Sequence, residues 1–258
     1  MPELPEVETL CRQLRQVVLG ARILKSLILD ERLGKMADIG GKQVLAIIRR
    51  GKVFQFQLEG DLSLFVQLRM TGRFHWQERG EIPPRARFHL SFPHGNLYLT
   101  DVRRLATLQC ICGENGFLPG WEPLEGLDHR RIFEIARRRH LPVKNFLMDQ
   151  KVVAGIGNIY ASEILFQSRI SPLRSASSLS LHEWKKIVRV TREILDRAIQ
   201  CRGTSISDWK DLFGRKGEYQ QHLRVYRRAG KACRRCGAAV HRIVLSGRGT
   251  FYCPTCQK

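Results

Sequence analysis

No stretch of this 258-residue chain approaches about 18 consecutive apolar residues, which excludes a transmembrane helix. The opening MPELPEVETL has neither a basic n-region nor an apolar h-region, so no secretory signal is expected. There is no internal repeat, which excludes a solenoid, and no low-complexity run. Acidic residues are scarce: 24 Asp and Glu stand against 44 Lys and Arg, a formal charge of +20. Hydrophobic residues make up 43% of the chain, enough for a core, so composition does not make it disordered. The expectation is an intracellular, strongly basic protein whose partner is a polyanion.

The charge is uneven. From Cys201 to Lys258 there are 13 Lys and Arg and 3 Asp and Glu, so this segment holds net +10, half the excess. It also holds two C-x-x-C pairs, Cys233/Cys236 and Cys253/Cys256, with 16 residues between them. Two-residue spacing lets paired sulfurs turn onto one ion, and this pattern reads as a four-thiolate structural zinc site. An intracellular chain disfavours disulfides, and two symmetric pairs disfavour a single redox motif. The intervening residues suggest a hairpin: β-prone 240–245, a turn at 246–249 and a return over 250–252. Cys11 falls on an apolar helix stripe and reads as core.

Leu4, Val7, Leu10, Cys11, Leu14, Val17 and Val18 recur at helical spacing, predicting a helix from about Glu3 to Leu19. Pro2 and Pro5 suit its opening turn, and Glu3 and Glu6 share a face near its positive end. Short β-type runs follow at 43–48, 53–58, 63–68, 87–92 and 96–100, suggesting an antiparallel sandwich. The Pro- and Gly-rich stretch around 119–126 reads as a linker. Beyond it the pattern is helical: 128–139, 143–148, 158–167 and a long helix ending near Gln200, opened by a Ser180/Glu183 capping box. The expected architecture is α+β. It comprises an N-terminal antiparallel β-sandwich domain with its helix (1–120), a linker (121–127), a helical domain (128–228) and a four-cysteine hairpin (229–258).

One feature suggests chemistry. If Met1 is removed, as the small Pro2 permits, the chain begins with a secondary amine. An α-amino group has a pKa near about 7.7–8.0, so part of it is a neutral nucleophile at pH 7. Attack on an aldehyde-level carbon gives an iminium, an electron sink for elimination, and Glu3 follows directly as a candidate general acid/base.

Met1-Pro2-Glu3-Leu4-Pro5-Glu6-Val7-Glu8-Thr9 resembles the opening of the bacterial formamidopyrimidine-DNA glycosylases. Further matches fall in order: Arg50-Gly51-Lys52, the loop 67–72 with Met70, the segment 149–163 as a helix–two-turn–helix motif, and the C-terminal four-cysteine zinc finger. The resemblance covers the whole chain. It implies a bifunctional DNA glycosylase and AP lyase acting on oxidised bases in duplex DNA. The base is flipped out, Pro2 attacks C1′, and the Schiff base permits β- and δ-elimination. By the same resemblance Glu3 assists at the sugar ring oxygen and belongs with Pro2 and Lys52 to the catalytic set. Glu6 supports the helix start and the proton transfers. Lys52, Lys144, Asn158 and Arg248 contact phosphates. Met70, Arg103 and Leu105 fill the gap and read the opposite base. One structural zinc, a monomer and a cytoplasmic, nucleoid-associated location are also implied.

Two departures bear on substrate. The family's Asp-Pro-Arg-Arg-Phe-Gly reads Asp101-Val102-Arg103-Arg104-Leu105-Ala106 here, so the gap-filling Phe is Leu105. Leu fills space but loses stacking worth about 1–3 kcal/mol per base. The segment 213–219, where the family covers an oxidised purine, is a few residues short. Purine lesions such as 8-oxoguanine and formamidopyrimidines are the expected substrates. An endonuclease VIII-like preference for oxidised pyrimidines, and a zinc-ribbon DNA-binding protein without catalysis, are the competing readings.

Overall fold

The computed structural model describes residues 2–113 and 120–258; Met1 and the Pro119 end of the expected linker lie outside them. The chain divides into two compact units. The first holds helix α1 (Leu4–Val18) and strands β1 (Lys25–Ile28), β2 (Val44–Arg50), β3 (Val53–Leu58), β4 (Leu62–Gln67), β5 (Gly72–Gln77), β6 (Ala86–Phe92), β7 (Gly95–Asp101) and β8 (Thr107–Cys112). They form two four-stranded antiparallel sheets, ordered β1-β6-β7-β5 and β2-β3-β4-β8. The sandwich core is built from alternate residues of both sheets, including Phe54, Phe56, Leu64, Phe74, Phe88 and Leu99. Phe74 of one sheet meets Phe54 of the other edge-on, with centroids 5.2 Å apart. Helix α1 adds Val7, Leu10, Cys11 and Leu14 to the same core. Burial pushes the Cys11 thiol up to about 11, as befits an inert core cysteine.

The second unit holds helices α2 (His129–Ala136), α3 (Val143–Met148), α4 (Asn158–Ser168) and α5 (Leu181–Gln200), and the hairpin β9 (His241–Leu245) and β10 (Arg248–Tyr252). Among the described residues no helix is long and apolar enough to cross a membrane.

Two boundaries differ from the sequence expectation. Residues 201–218, expected inside the helical domain, group with the sandwich. The reason is specific bonding: Gln13 of α1 donates to Asp211 at 2.9 Å and accepts the Leu212 N–H at 3.0 Å. The expected linker 121–127 is not a loose connector at its start. Trp121 donates its N–H to Val152 at 3.0 Å and accepts from Ala154 at 2.8 Å, and Glu122 is buried.

Candidate active site and nucleic-acid interface

Helix α1 is capped by its own carboxylates. Glu3 occupies the N-cap and its side chain accepts the Glu6 N–H, while Glu6 Oε2 accepts the Glu3 N–H at 2.8 Å. This reciprocal box usually uses Ser or Thr at the cap; Glu in both places sets two buried carboxylates, 3% and 2% exposed, beside half-buried Pro2. The second oxygen of Glu6 accepts the Thr204 N–H at 2.7 Å, from the segment 201–218. Gly203 makes this approach possible: its φ is +80°, and a Cβ there would lie 2.6 Å from Glu6 Oε1. Gly203→Ala should therefore lower stability by about 1–3 kcal/mol and displace Glu6. Thermal unfolding together with strand nicking checks this, and an unchanged melting point and rate would overturn it.

Lys52 lies in the two-residue turn between β2 and β3 and is half-buried. The turn is fixed to α1 through buried Arg49, which donates to Glu8 at 2.7 Å and to the Gly51 carbonyl at 3.2 Å. Burial raises the Glu8 carboxyl, but bonds from Arg49 and Arg12 outweigh it and hold the pKa below its ordinary value. This ion pair contributes stability above the unfolded-state pKa of Glu8 and loses it as pH falls through the lowered folded value.

Met70 occupies the β4–β5 turn and is 44% exposed; Leu105, in the loop between β7 and β8, is 41% exposed, and Arg103 beside it is exposed. Neither apolar side chain joins the core. Both loops converge on Asp101, a residue to which its place in the sequence gives no evident role. Its buried carboxylate accepts the Arg103, Leu105 and Ala106 N–H groups at 3.1, 2.6 and 2.7 Å.

In the second unit, Asn158 opens α4 after Gly157. Its Oδ1 accepts from Lys144 Nζ at 2.5 Å and its Nδ2 donates to the Gly249 carbonyl at 3.0 Å. Lys144 also donates to Thr250 Oγ1 at 2.7 Å and is only 1% exposed. The expected phosphate-gripping lysine is thus an internal ammonium that ties α3 to α4 and β10. Gln150, whose role no sequence pattern signals, closes the turns before α4 by donating to the Met148 and Ile156 carbonyls and accepting the Gly155 N–H. Arg248 is exposed and starts β10; the turn is only Ser246-Gly247, with φ of 47° and 73°. Positive φ at both positions is the primed two-residue turn that matches strand twist. Lys144 and Arg248 both line a cleft of about 240 Å³ with Asn145, Met148 and Asp149.

The four cysteines of the hairpin region converge, their sulfurs all within 4.8 Å of one another. Cys233 and Cys256 sulfurs are 3.9 Å apart, and those of Cys236 and Cys253 3.5 Å. Tetrahedral zinc with ligands at about 2.3 Å places sulfurs about 3.8 Å apart, so the set fits the ion. Burial, then the neighbouring thiols, pushes Cys256 up to about 12. Four thiolates share this space only with a cation among them. Buried Glu163 of α4 accepts the N–H groups of Arg224, Val225 and Tyr226 at 2.8–3.0 Å, fixing the chain just ahead of the cysteines.

Three family models match in order: the formamidopyrimidine-DNA glycosylase N-terminal domain over residues 1–108, the H2TH domain of the same enzymes over 120–210, and a zinc finger found in FPG and IleRS over 230–258. A formamidopyrimidine-DNA glycosylase of Pelotomaculum thermopropionicum is 39% identical, over 100% of this chain and 99% of its own. The chain belongs to the formamidopyrimidine-DNA glycosylase family. Another family member, from Thermus thermophilus, is 40% identical over 100% of this chain and 98% of its own. The crystal structure of MutM (Fpg) from Thermus thermophilus superposes with a TM-score of 0.92, at 38% identity over 99% and 98% of the two chains. The Lactococcus lactis Fpg in complex with abasic-site DNA gives 0.91, at 32% identity over 99% of each. The cysteine cluster falls within the matched zinc finger, and the site binds one structural zinc.

Proposed function

We propose that this member of the formamidopyrimidine-DNA glycosylase family is a bifunctional DNA glycosylase and AP lyase that excises oxidised bases from duplex DNA. The observation that carries the reading is the helix start: a proline directly before two buried, mutually bonded glutamates.

With Met1 removed, the Pro2 nitrogen attacks C1′ of the extruded nucleotide. The C1′–N bond to the base breaks and the base leaves with a proton. Glu3 donates to the ring oxygen as the sugar opens, leaving an iminium between Pro2 and C1′. Removal of a C2′ proton then expels the 3′ phosphate (β-elimination), and a second elimination expels the 5′ phosphate. Water returns the amine. Glu6 holds the Glu3 backbone and thereby the amine. Lys52 and Arg248 neutralise phosphates flanking the lesion, where non-bridging oxygens favour charge-assisted donors. Lys144 acts one step back by fixing Asn158 at the N-terminus of α4, a position whose backbone favours phosphate. Zinc supplies no chemistry beyond holding the hairpin that carries Arg248.

Oxidised purines are the substrates favoured here, and every curated relative named above is a formamidopyrimidine-DNA glycosylase. The match of the N-terminal domain over 1–108 weighs against a zinc-ribbon protein without catalysis. Cytoplasmic action on the bacterial nucleoid, as a monomer, completes the proposal. A panel of duplexes with 8-oxoguanine, formamidopyrimidine and oxidised pyrimidines tests it, scored for base release and nicking. Faster release of the purine lesions is expected. Preferential release of pyrimidines would move the enzyme to the endonuclease VIII-like reading, and no release of any base would overturn glycosylase function.

A further inference from the structure

We propose that the Thr71 hydroxyl, with Asp101, locks the Met70 turn and the Arg103–Leu105 loop into a single unit, so that their side chains enter the helix gap together. Thr71 is thus a positioning residue for lesion engagement. The proposal rests on the gap-filling reading of Met70, Arg103 and Leu105.

The two loops are some thirty residues apart in sequence and meet at one hydroxyl. Thr71 Oγ1 donates to Asp101 Oδ1 and accepts the Arg103 N–H at 3.2 Å. Asp101 Oδ1 also accepts the Arg103 N–H, at 3.1 Å, while Oδ2 takes the N–H groups of Leu105 and Ala106. Each exposed side chain therefore sits within a residue of a bond to this pair: Met70 precedes Thr71, and Arg103 and Leu105 hang from the backbone that Asp101 holds. Behind the carboxylate, Arg87 donates to Asp101 at 3.5 Å and to the Ala106 carbonyl at 3.1 Å, and pairs with Asp30 at 2.7 Å. Asp30 in turn meets Arg104 at 3.3 Å. The Asp101 side chain is fully buried, so the mount is rigid where the side chains it carries are exposed. Buried hydrogen bonds to a charged acceptor are among the stronger ones. Separately mounted side chains would each lose their own freedom on insertion; a shared mount removes part of that loss beforehand.

The test uses full-length, zinc-loaded protein and a duplex carrying an abasic site opposite a fluorescent base. Thr71→Val removes the hydroxyl at constant shape, and Thr71→Ser keeps it. Thr71→Val should raise KM for nicking about tenfold with kcat within about twofold, and should abolish the fluorescence change that accompanies gap filling. Thr71→Ser should restore both. Thr71→Val combined with Leu105→Ala should be little worse than Leu105→Ala alone, since the two act as one unit. Effects that multiply, a Thr71→Val enzyme with unchanged KM and fluorescence, or one whose kcat falls with KM unchanged would overturn the proposal. If Leu105→Ala and Met70→Ala leave fluorescence and KM untouched, the gap-filling reading fails first and the coupling falls with it. A lower melting temperature that Thr71→Ser shares, without a change in KM, marks a structural role only and also overturns it.

Discussion

Pro2→Gly should reduce the borohydride-trapped adduct on abasic-site duplex DNA by about a hundredfold. The reason lies in the nitrogen. A secondary amine condenses to an iminium that has no N–H to lose, so it stays cationic and draws electrons at neutral pH. Glycine leaves a primary amine, whose imine loses its proton and with it most of the pull on C2′. It also removes the ring that ties the terminal nitrogen to its own side chain ahead of the Glu3 cap. Slow residual trapping is therefore expected. An undiminished adduct, or none with the mature wild-type chain, would remove Pro2 as the nucleophile. Intact mass should show loss of Met1, and protein that retains it should be inactive because the amine is displaced by one residue.

Cys253→Ser should release the zinc, taking metal content from about one ion per chain to near zero. Structural zinc contributes roughly 10–16 kcal/mol in small four-ligand modules, far more than the small apolar cluster of Phe166, Val225, Val240 and Phe251 beneath the cysteines can replace. The damage should reach beyond the hairpin. Gly249 and Thr250 of β10 hold Asn158 and Lys144, so losing the hairpin leaves a buried ammonium short of acceptors, itself strongly destabilising. Duplex affinity should fall by about two orders of magnitude, and its salt dependence should flatten as phosphate contacts are lost. Metal analysis and titration of duplex DNA at two salt concentrations check this; stoichiometric zinc in the variant would refute the four-cysteine site.

The sequence announced helices and inner strands well, because both advertise burial. Helix α1 was expected from about 3–19 and spans Leu4–Val18, and α3 was expected and found over Val143–Met148. Strands β3, β6 and β7 were legible from apolar runs. The strands with no clear sequence signal, β1, β5 and β8, all lie at sheet edges. Edge strands are half solvated, so Lys25-Ser26-Leu27-Ile28 and Thr107-Leu108-Gln109 carry too little apolar signal to stand out. The candidate site divides in a similar way. The proposed nucleophile follows from the chemistry of a terminal proline and the family resemblance, and the metal ligands from local spacing. The residues that hold them, Thr204 behind Glu6, Asp101 behind Leu105 and Gln150 behind the two turns, act through contacts that spacing cannot encode. Lys144 shows the converse: a lysine in a basic chain reads as surface, and only the fold reveals three acceptors around it.

The bond from Thr204 to Glu6 joins the second residue of a capping box to a position 198 residues later. Synthesis at about 5–20 residues per second separates the two by roughly 10–40 s. During that interval the start of the chain has left the ribosome while its clasp has not yet been made. An aminopeptidase acting in that interval would meet an N-terminus that is not yet clasped. The support behind the proposed nucleophile is therefore completed last, after the strands of the sandwich and helices α1 to α5 have been synthesised.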